Sequence, residues 1–361
     1  MSEKTKIAWC DSTLNWWEGC TKVSAGCAKC YAEARDKRFT GGAHWGKGAP
    51  RRKSKSAVKD ALLFNRKPWV CDYCGKAFEI KQAHSCITPG DIRAAGDLKW
   101  HRRRIFSLSL GDWLDPEIPI EWLAEMLDTI RQCENVNWIL CTKRPELWEQ
   151  RIEKALEDAK ELRWGIALVN WLARWLQGTP PNHVCLLASV ENQDMAEARI
   201  PALLRIPARW RGLSCEPLLG PLDPTRVYWP DRDGGAKYED ALRDPISDYA
   251  KRHYPAARSL NVPRLSWLII GGESGLNARP CNVGWIRALV RQGQTAGVAT
   301  FVKQLGANVV TDDSLNNWPS ATRVIGKLGS EDSRVLLEHH KGGDPSEWPD
   351  DLRIQQWPEG M

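Results

Sequence analysis

Short apolar runs that end in polar residues, each followed by a stretch of helical spacing, recur from position 105 onward. Residues 105–110 lead into Gly111-Asp112-Trp113, and a helix is predicted from 120 towards 132, entered through Pro116 and Pro119. Residues 138–141 lead into Thr142-Lys143-Arg144-Pro145 and a helix to 160, and residues 184–188 into Ser189-Val190-Glu191-Asn192 and a helix over 195–205. Residues 210–214 lead into Cys215-Glu216-Pro217. Residues 266–270 lead into Gly271-Gly272-Glu273-Ser274 and a helix over 284–296, and residues 300–302 into Lys303-Gln304. Nearer the start, residues 13–18 read as a short strand ending at Gly19, and a helix is predicted over 32–39.

Largely apolar strands alternating with helices are the signature of buried parallel strands joined by helical crossovers. The fold class expected is α/β, a partial or full parallel (β/α) barrel of six to seven units. A barrel fits better than an open sheet because nearly every strand ends in polar residues, and barrels build their sites at strand C-terminal ends. The pattern divides the chain into 1–43 (first strand, cysteine loop and helix), 44–100 (an insertion), 101–308 (the remaining units, with an excursion over 224–263) and 309–361 (a polar tail).

Composition adds little to the fold but limits the function. Of 361 residues 42% are hydrophobic, ample for a core, yet no run reaches the ~18 apolar residues of a membrane span. The polar start lacks the apolar region of a signal peptide, so a cytoplasmic location is expected, with no membrane partner. Twelve cysteines in a reducing compartment argue for metal ligation over disulfides. The net charge of +6 is unevenly placed: residues 44–70 carry eight basic side chains against the one acid Asp60, and Lys99 with Arg102-Arg103-Arg104 forms a second cluster. Such a face suits a nucleic acid or nucleotide, and equally a solvated arm. Twenty tryptophans against five phenylalanines point mainly to packing.

Cysteines carry the clearest chemistry. Cys20, Cys27 and Cys30, spaced C-x6-C-x2-C between a strand and a helix, suit a [4Fe–4S] cluster with one iron left free, although the usual spacing is C-x3-C-x2-C. Two other readings stay open: a four-cysteine zinc site completed by Cys10, or unliganded core thiols. In the insertion, Cys71-Asp-Tyr-Cys74-Gly75, followed by His84 and Cys86, reads as a small zinc ribbon with structural Zn at Cys71, Cys74, His84 and Cys86, His101 being a substitute ligand.

If the strands form a barrel, its C-terminal face gathers Lys143, Glu191, Glu216 and Lys303 as candidate catalytic groups. It also gathers Ser189, Asn192, Gly271, Gly272, Glu273 and Ser274 as candidate cofactor-binding groups. Each has a plainer reading as a helix cap, an ion pair or a tight turn.

Six segments carry a family resemblance: Cys30-Tyr31-Ala32-Glu33 with the three-cysteine loop, Leu140-Cys-Thr-Lys143-Arg-Pro145-Glu, Ser189-Val-Glu-Asn-Gln193, Leu213-Ser-Cys-Glu-Pro-Leu-Leu-Gly-Pro221, Ile270-Gly-Gly-Glu-Ser-Gly275 and Phe301-Val-Lys-Gln304. In this order they resemble the bacteriophage-associated gene-product thirty-seven/sixty-eight proteins, a family that looks like a divergent branch of the radical S-adenosylmethionine enzymes. The resemblance implies that Cys20, Cys27 and Cys30 ligate three irons, that the fourth iron takes the amino and carboxylate groups of S-adenosylmethionine, and that Gly271-Gly272-Glu273 holds the methionyl ammonium. It further implies a 5′-deoxyadenosyl radical and a reductant for the cluster. The competing expectation is a non-enzymatic zinc protein that binds nucleic acid, with both cysteine groups structural.

Overall fold

The computed structural model describes residues 5–71, 77–82, 85–88, 91–95, 98–161, 164–230, 236–243, 265–311, 318–319, 323–325 and 333–361. Seven parallel strands form one sheet in chain order: β1 (Ser12–Leu14), β2 (Arg103–Ser107), β3 (Val136–Thr142), β4 (Val184–Ser189), β5 (Trp210–Cys215), β6 (Trp267–Gly271) and β7 (Ala299–Gln304). Each strand pairs with its sequence neighbours, and among the described residues β1 does not pair with β7. The result is a partial β/α barrel. Helices α1 (Tyr31–Thr40), α2 (Ala57–Asn65), α3 (Ile120–Gln132), α4 (Trp148–Glu161), α5 (Ile166–Leu176), α6 (Gln193–Arg205) and α7 (Val283–Ala296) lie in the crossovers. Among the described residues no helix is long and apolar enough to cross a membrane.

Why the strands read as unbroken apolar runs is clear from their two faces. On β4, Val184, Leu186 and Ala188 join the core beneath the helices, while Cys185 and Leu187 join a second core with Ile139, Trp210, Trp267 and Phe301. Both faces are buried, so both must be apolar. Successive side chains alternate between faces, and the inward row changes chemistry as it nears the strand ends. Ile139 is followed by Cys141, Leu187 by Ser189, Gly212 by Ser214 and Glu216, and Phe301 by Lys303. The apolar floor thus turns into a polar mouth within one strand repeat.

Segment 309–361 does more than trail off. Val302 N donates to Ile354 O (2.8 Å) and Gln356 N to Thr300 O (3.0 Å), so this stretch runs antiparallel along β7. Trp357 packs 5.0 Å from Phe301 and its Nε1 donates to Trp9 O (2.9 Å). The indoles of Trp267 and Trp210 donate to Gln356 O and Glu359 O. The seam between β1 and β7 is filled by this segment together with Trp9.

Three local features differ from the sequence expectation. The strand expected over 105–110 begins at Arg103 and ends at Ser107, because Arg103 and Arg104 pair with Val136 and Asn137 and Leu108 takes a positive φ. Helix α5, apolar almost throughout, had no counterpart in the pattern. The excursion contains a hairpin, Val227–Pro230 with Ala236–Glu239. Of the expected zinc ligands, Cys74 and His84 lie outside the described residues, as does the side chain of Cys86. Cys71 is buried on the strand Trp69–Cys71, and His101 is engaged with Asp11 (3.1 Å).

Candidate functional site

A cavity of about 410 Å³ opens at the C-terminal ends of the strands, and Cys20, Cys27 and Cys30 all line it. The loop bearing them leaves β1 through Gly19, makes a short 3-10 turn at Ala25–Cys27 and enters α1, with Cys30 at the N-cap. Cys10, by contrast, is buried in the inner core, its thiol 3.9 Å from Ile7 O.

Four clamps hold the loop. Arg144 Nη2 donates to Thr21 O (2.7 Å), while its Nη1 donates to Asp112 Oδ2 (2.9 Å). Arg51, fully buried against Asp115 (3.0 Å), donates to Thr21 Oγ1 (2.7 Å). Ser24 Oγ donates to Glu191 Oε1 (2.7 Å), and Glu191 Oε2 accepts from Arg199 Nη1 (2.7 Å). Arg279 Nη1 donates to Ala25 O (2.8 Å), while Glu273 accepts from the Arg279 backbone N (2.8 Å) and side chain. In each the charge is buried or half-buried and paired, which is how a charged group is held away from water. Gly26 is enclosed by this arrangement: a Cβ there would lie within 2.6 Å of Oε1, Cγ and Cδ of Glu191.

Burial pushes the Cys20 thiol up to about 12, with Asp112 adding to the effect and Arg144 opposing it. Burial likewise raises Cys30, against the pull of the Glu33 and Ala32 N–H groups at the start of α1 and of the Lys143 charge. Metal ligation by such thiols releases protons. The Lys143 ammonium is itself held above its ordinary value: burial acts downward, and Glu191, Cys141 and Cys27 outweigh it.

The residues singled out from sequence fall into two groups. Lys143, Ser189, Glu216, Ser274 and Lys303 line the cavity with the three thiols. Lys303 Nζ lies 2.8 Å from Glu216 Oε1, and Trp9 Nε1 donates to Glu216 Oε2 (3.3 Å), so the carboxylate is fixed against the floor. The others stand behind the wall. Glu191, fully buried, and Glu273 are engaged by arginines and hold the loop. Asn192 caps α6 by accepting from Met195 N (3.1 Å). Gly271 and Gly272 pack against the end of β7, where a Cβ on Gly272 would run into the Leu305 carbonyl.

A family model described as "Protein of unknown function (DUF5131)" matches residues 4–339. The chain belongs to this family. No curated protein and no solved structure matches it. The match takes in the whole loop, its four clamps and every strand of the sheet.

The sequence reading did not anticipate Ser24, Gly26, Arg199, Arg279, Trp9 or Cys141. For Cys141 the signal was present, since it shares inward parity with Ile139. Arg199 and Arg279 lie eight and six residues beyond the carboxylates they meet, and neither pair lies within a single helix or strand whose period could mark it.

Among the described residues no group of three or more His, Cys, Asp or Glu side chains is placed to hold a single metal ion. Three thiols that line one cavity supply the donor set of a cluster that leaves one iron without a protein ligand. Cys141 opens onto the same cavity, its Sγ 3.4 Å from Ser189 Oγ.

Proposed function

We propose that this chain is a radical S-adenosylmethionine-type enzyme. Cys20, Cys27 and Cys30 would hold a [4Fe–4S] cluster at the barrel mouth. The observation that carries the reading is that these three thiols open onto one cavity at the C-terminal end of a partial β/α barrel, the end where such folds carry chemistry. The group, when bound and reduced, supplies the electron that cleaves S-adenosylmethionine to a 5′-deoxyadenosyl radical.

The chain's own residues do the rest. Glu216 is the carboxylate on the wall able to meet an ammonium, with Lys303 and Trp9 fixing its rotamer. Ser189 and Ser274 offer hydroxyls to polar groups of a cofactor, and Lys143 offers a cation. Glu273 acts at one remove, orienting Arg279 on the loop. Trp9 and Phe106 close the floor and exclude water.

A nucleic acid or nucleotide is the substrate class we favour. The supporting charge has moved from where the sequence placed it. Arg51 is buried on Asp115, Arg52 meets Glu18, Lys53 meets Glu125 and Arg104 meets Asp11. The cavity itself carries Lys6, Lys143 and Lys341 besides its two ion pairs, with Lys22 paired to Glu33, and the aromatic rings of Tyr31 and Trp45. Cations interleaved with rings suit phosphates and bases. A structural Zn at Cys71, Cys74, His84 and Cys86 belongs to the same proposal.

The test is anaerobic purification followed by metal analysis and an S-adenosylmethionine cleavage assay. Brown protein with about four irons per chain, bleached by dithionite and releasing 5′-deoxyadenosine, is expected. Colourless protein with about two zincs per chain and no cleavage refutes the reading in favour of the non-enzymatic zinc protein.

A further inference from the structure

Arg144 is 5% exposed, and its guanidinium reaches the thiol of Cys20 with both terminal nitrogens, Nη1 at 3.7 Å and Nη2 at 3.8 Å from Sγ. Its fork is fixed on both arms, Nη1 on Asp112 Oδ2 and Nη2 on Thr21 O. Asp112 is held just as firmly: it accepts from Thr142 Oγ1 (2.7 Å), Leu114 N (3.0 Å) and Lys143 N (2.9 Å) as well. A positive and a negative charge, both nearly buried, therefore sit in series behind one sulfur. The neighbouring thiol of Cys27 lies 3.9 Å from a hydroxyl, Ser24 Oγ.

We infer that Arg144 and Asp112 are an opposed pair of positioning residues that sets the reduction potential of a cluster ligated by Cys20. The inference rests on the iron–sulfur reading above. Hydrogen bonds to ligating sulfur and nearby net charge are principal determinants of cluster potential. A guanidinium over the sulfur favours the reduced cluster, which carries one more negative charge. The carboxylate behind it offsets part of that charge. In surroundings this dry neither effect is much screened. An ion pair serving only to brace the loop needs the contacts to Asp112 and Thr21, but has no need of the sulfur.

Two substitutions that each remove one charge must then act with opposite sign. Arg144→Gln removes the cation, and the midpoint potential falls. Asp112→Asn removes the offsetting anion and keeps the arginine in place, and the potential rises. The measurement is spectropotentiometric titration of the full chain, anaerobically reconstituted with iron and sulfide. The expected change is about tenfold or more in the oxidised-to-reduced equilibrium for each variant, about 59 mV for a one-electron couple. Shifts in the same direction, or potentials equal to wild type in cluster-bearing variants, overturn this inference while leaving the iron–sulfur reading intact. Wild-type chain that takes up no iron overturns both. If Arg144→Gln fails to fold or to take up iron, Asp112→Asn decides alone: a raised potential supports the inference and an unmoved or lowered one overturns it.

Discussion

Replacing Gly26 by alanine tests whether the loop is built around Glu191. Gly26 is not among the residues with positive φ, so its backbone accepts a side chain, and in the unfolded chain the change stabilises the protein by about 0.4–1 kcal/mol. Against this, the new methyl would lie within 2.6 Å of three Glu191 atoms. Glu191 cannot swing aside, because Arg199 and Ser24 hold its two oxygens at 2.7 Å each and it is fully buried. Overpacking of this kind costs about 1–3 kcal/mol, so the net expectation is a loss of about 1–2 kcal/mol. Urea titration followed by tryptophan fluorescence measures it, alongside Glu191→Ala and the double variant. Glu191→Ala alone should cost about 3–5 kcal/mol, since it leaves Arg199 buried without its partner. In the double variant the clash has no counterpart, so its loss should fall short of the sum by about 1–2 kcal/mol, the coupling expected of touching residues. Additive losses, or a Gly26→Ala protein within about 0.5 kcal/mol of wild type, would show that the loop does not depend on this contact.

Other perturbations separate stability from chemistry. On the iron–sulfur reading, Cys27→Ala should abolish iron uptake and S-adenosylmethionine cleavage, while changing the unfolding free energy of the metal-free chain by less than about 1 kcal/mol, since the residue is half-buried; colorimetric iron analysis and the same titration check both. Trp357→Ala should cost about 2 kcal/mol by opening the seam beside Phe301 and Trp9, read as a lowered thermal midpoint. Burial holds the His183 imidazole below its ordinary 6.5 while its ring donates to Ile130 O. The unfolded chain therefore takes up this proton first, and stability, complete above about pH 6.5, declines as the pH falls. His183→Gln should flatten that slope between about pH 7 and about pH 5 in urea titrations. Asp11 adds a second decline at more acid pH. Burial works to raise its carboxyl, but hydrogen bonds from His101 and Arg104 hold it well below 3.8.

Much of the fold was legible because buried parallel strands leave an unmistakable record. Trp267 to Gly271 must be apolar on both faces, and only the last inward positions are free to turn polar. The three thiols were legible for a related reason, since cysteine is rare enough that its spacing stands out. What could not be read was which carboxylates face the cavity. Glu191, Glu216 and Glu273 all follow strands within two residues and all continue the inward parity of their strands, yet of the three Glu216 alone lines the cavity. The other two are drawn back by Arg199 and Arg279, partners whose approach depends on the tertiary path. The role of 354–357 was hidden as well, because a lone edge strand with a single tryptophan carries too short a pattern to register.

The bond from Trp357 to the Trp9 carbonyl joins positions 348 apart in the chain. Contacts between such distant positions form late, after the local β/α units have assembled. Until then β7 presents unpaired amide and carbonyl groups, the template on which another copy can add a strand. Crowded synthesis or heat should therefore favour intermolecular pairing at this edge, and a chain truncated before Ile354 should aggregate under conditions in which the full chain stays monomeric by light scattering.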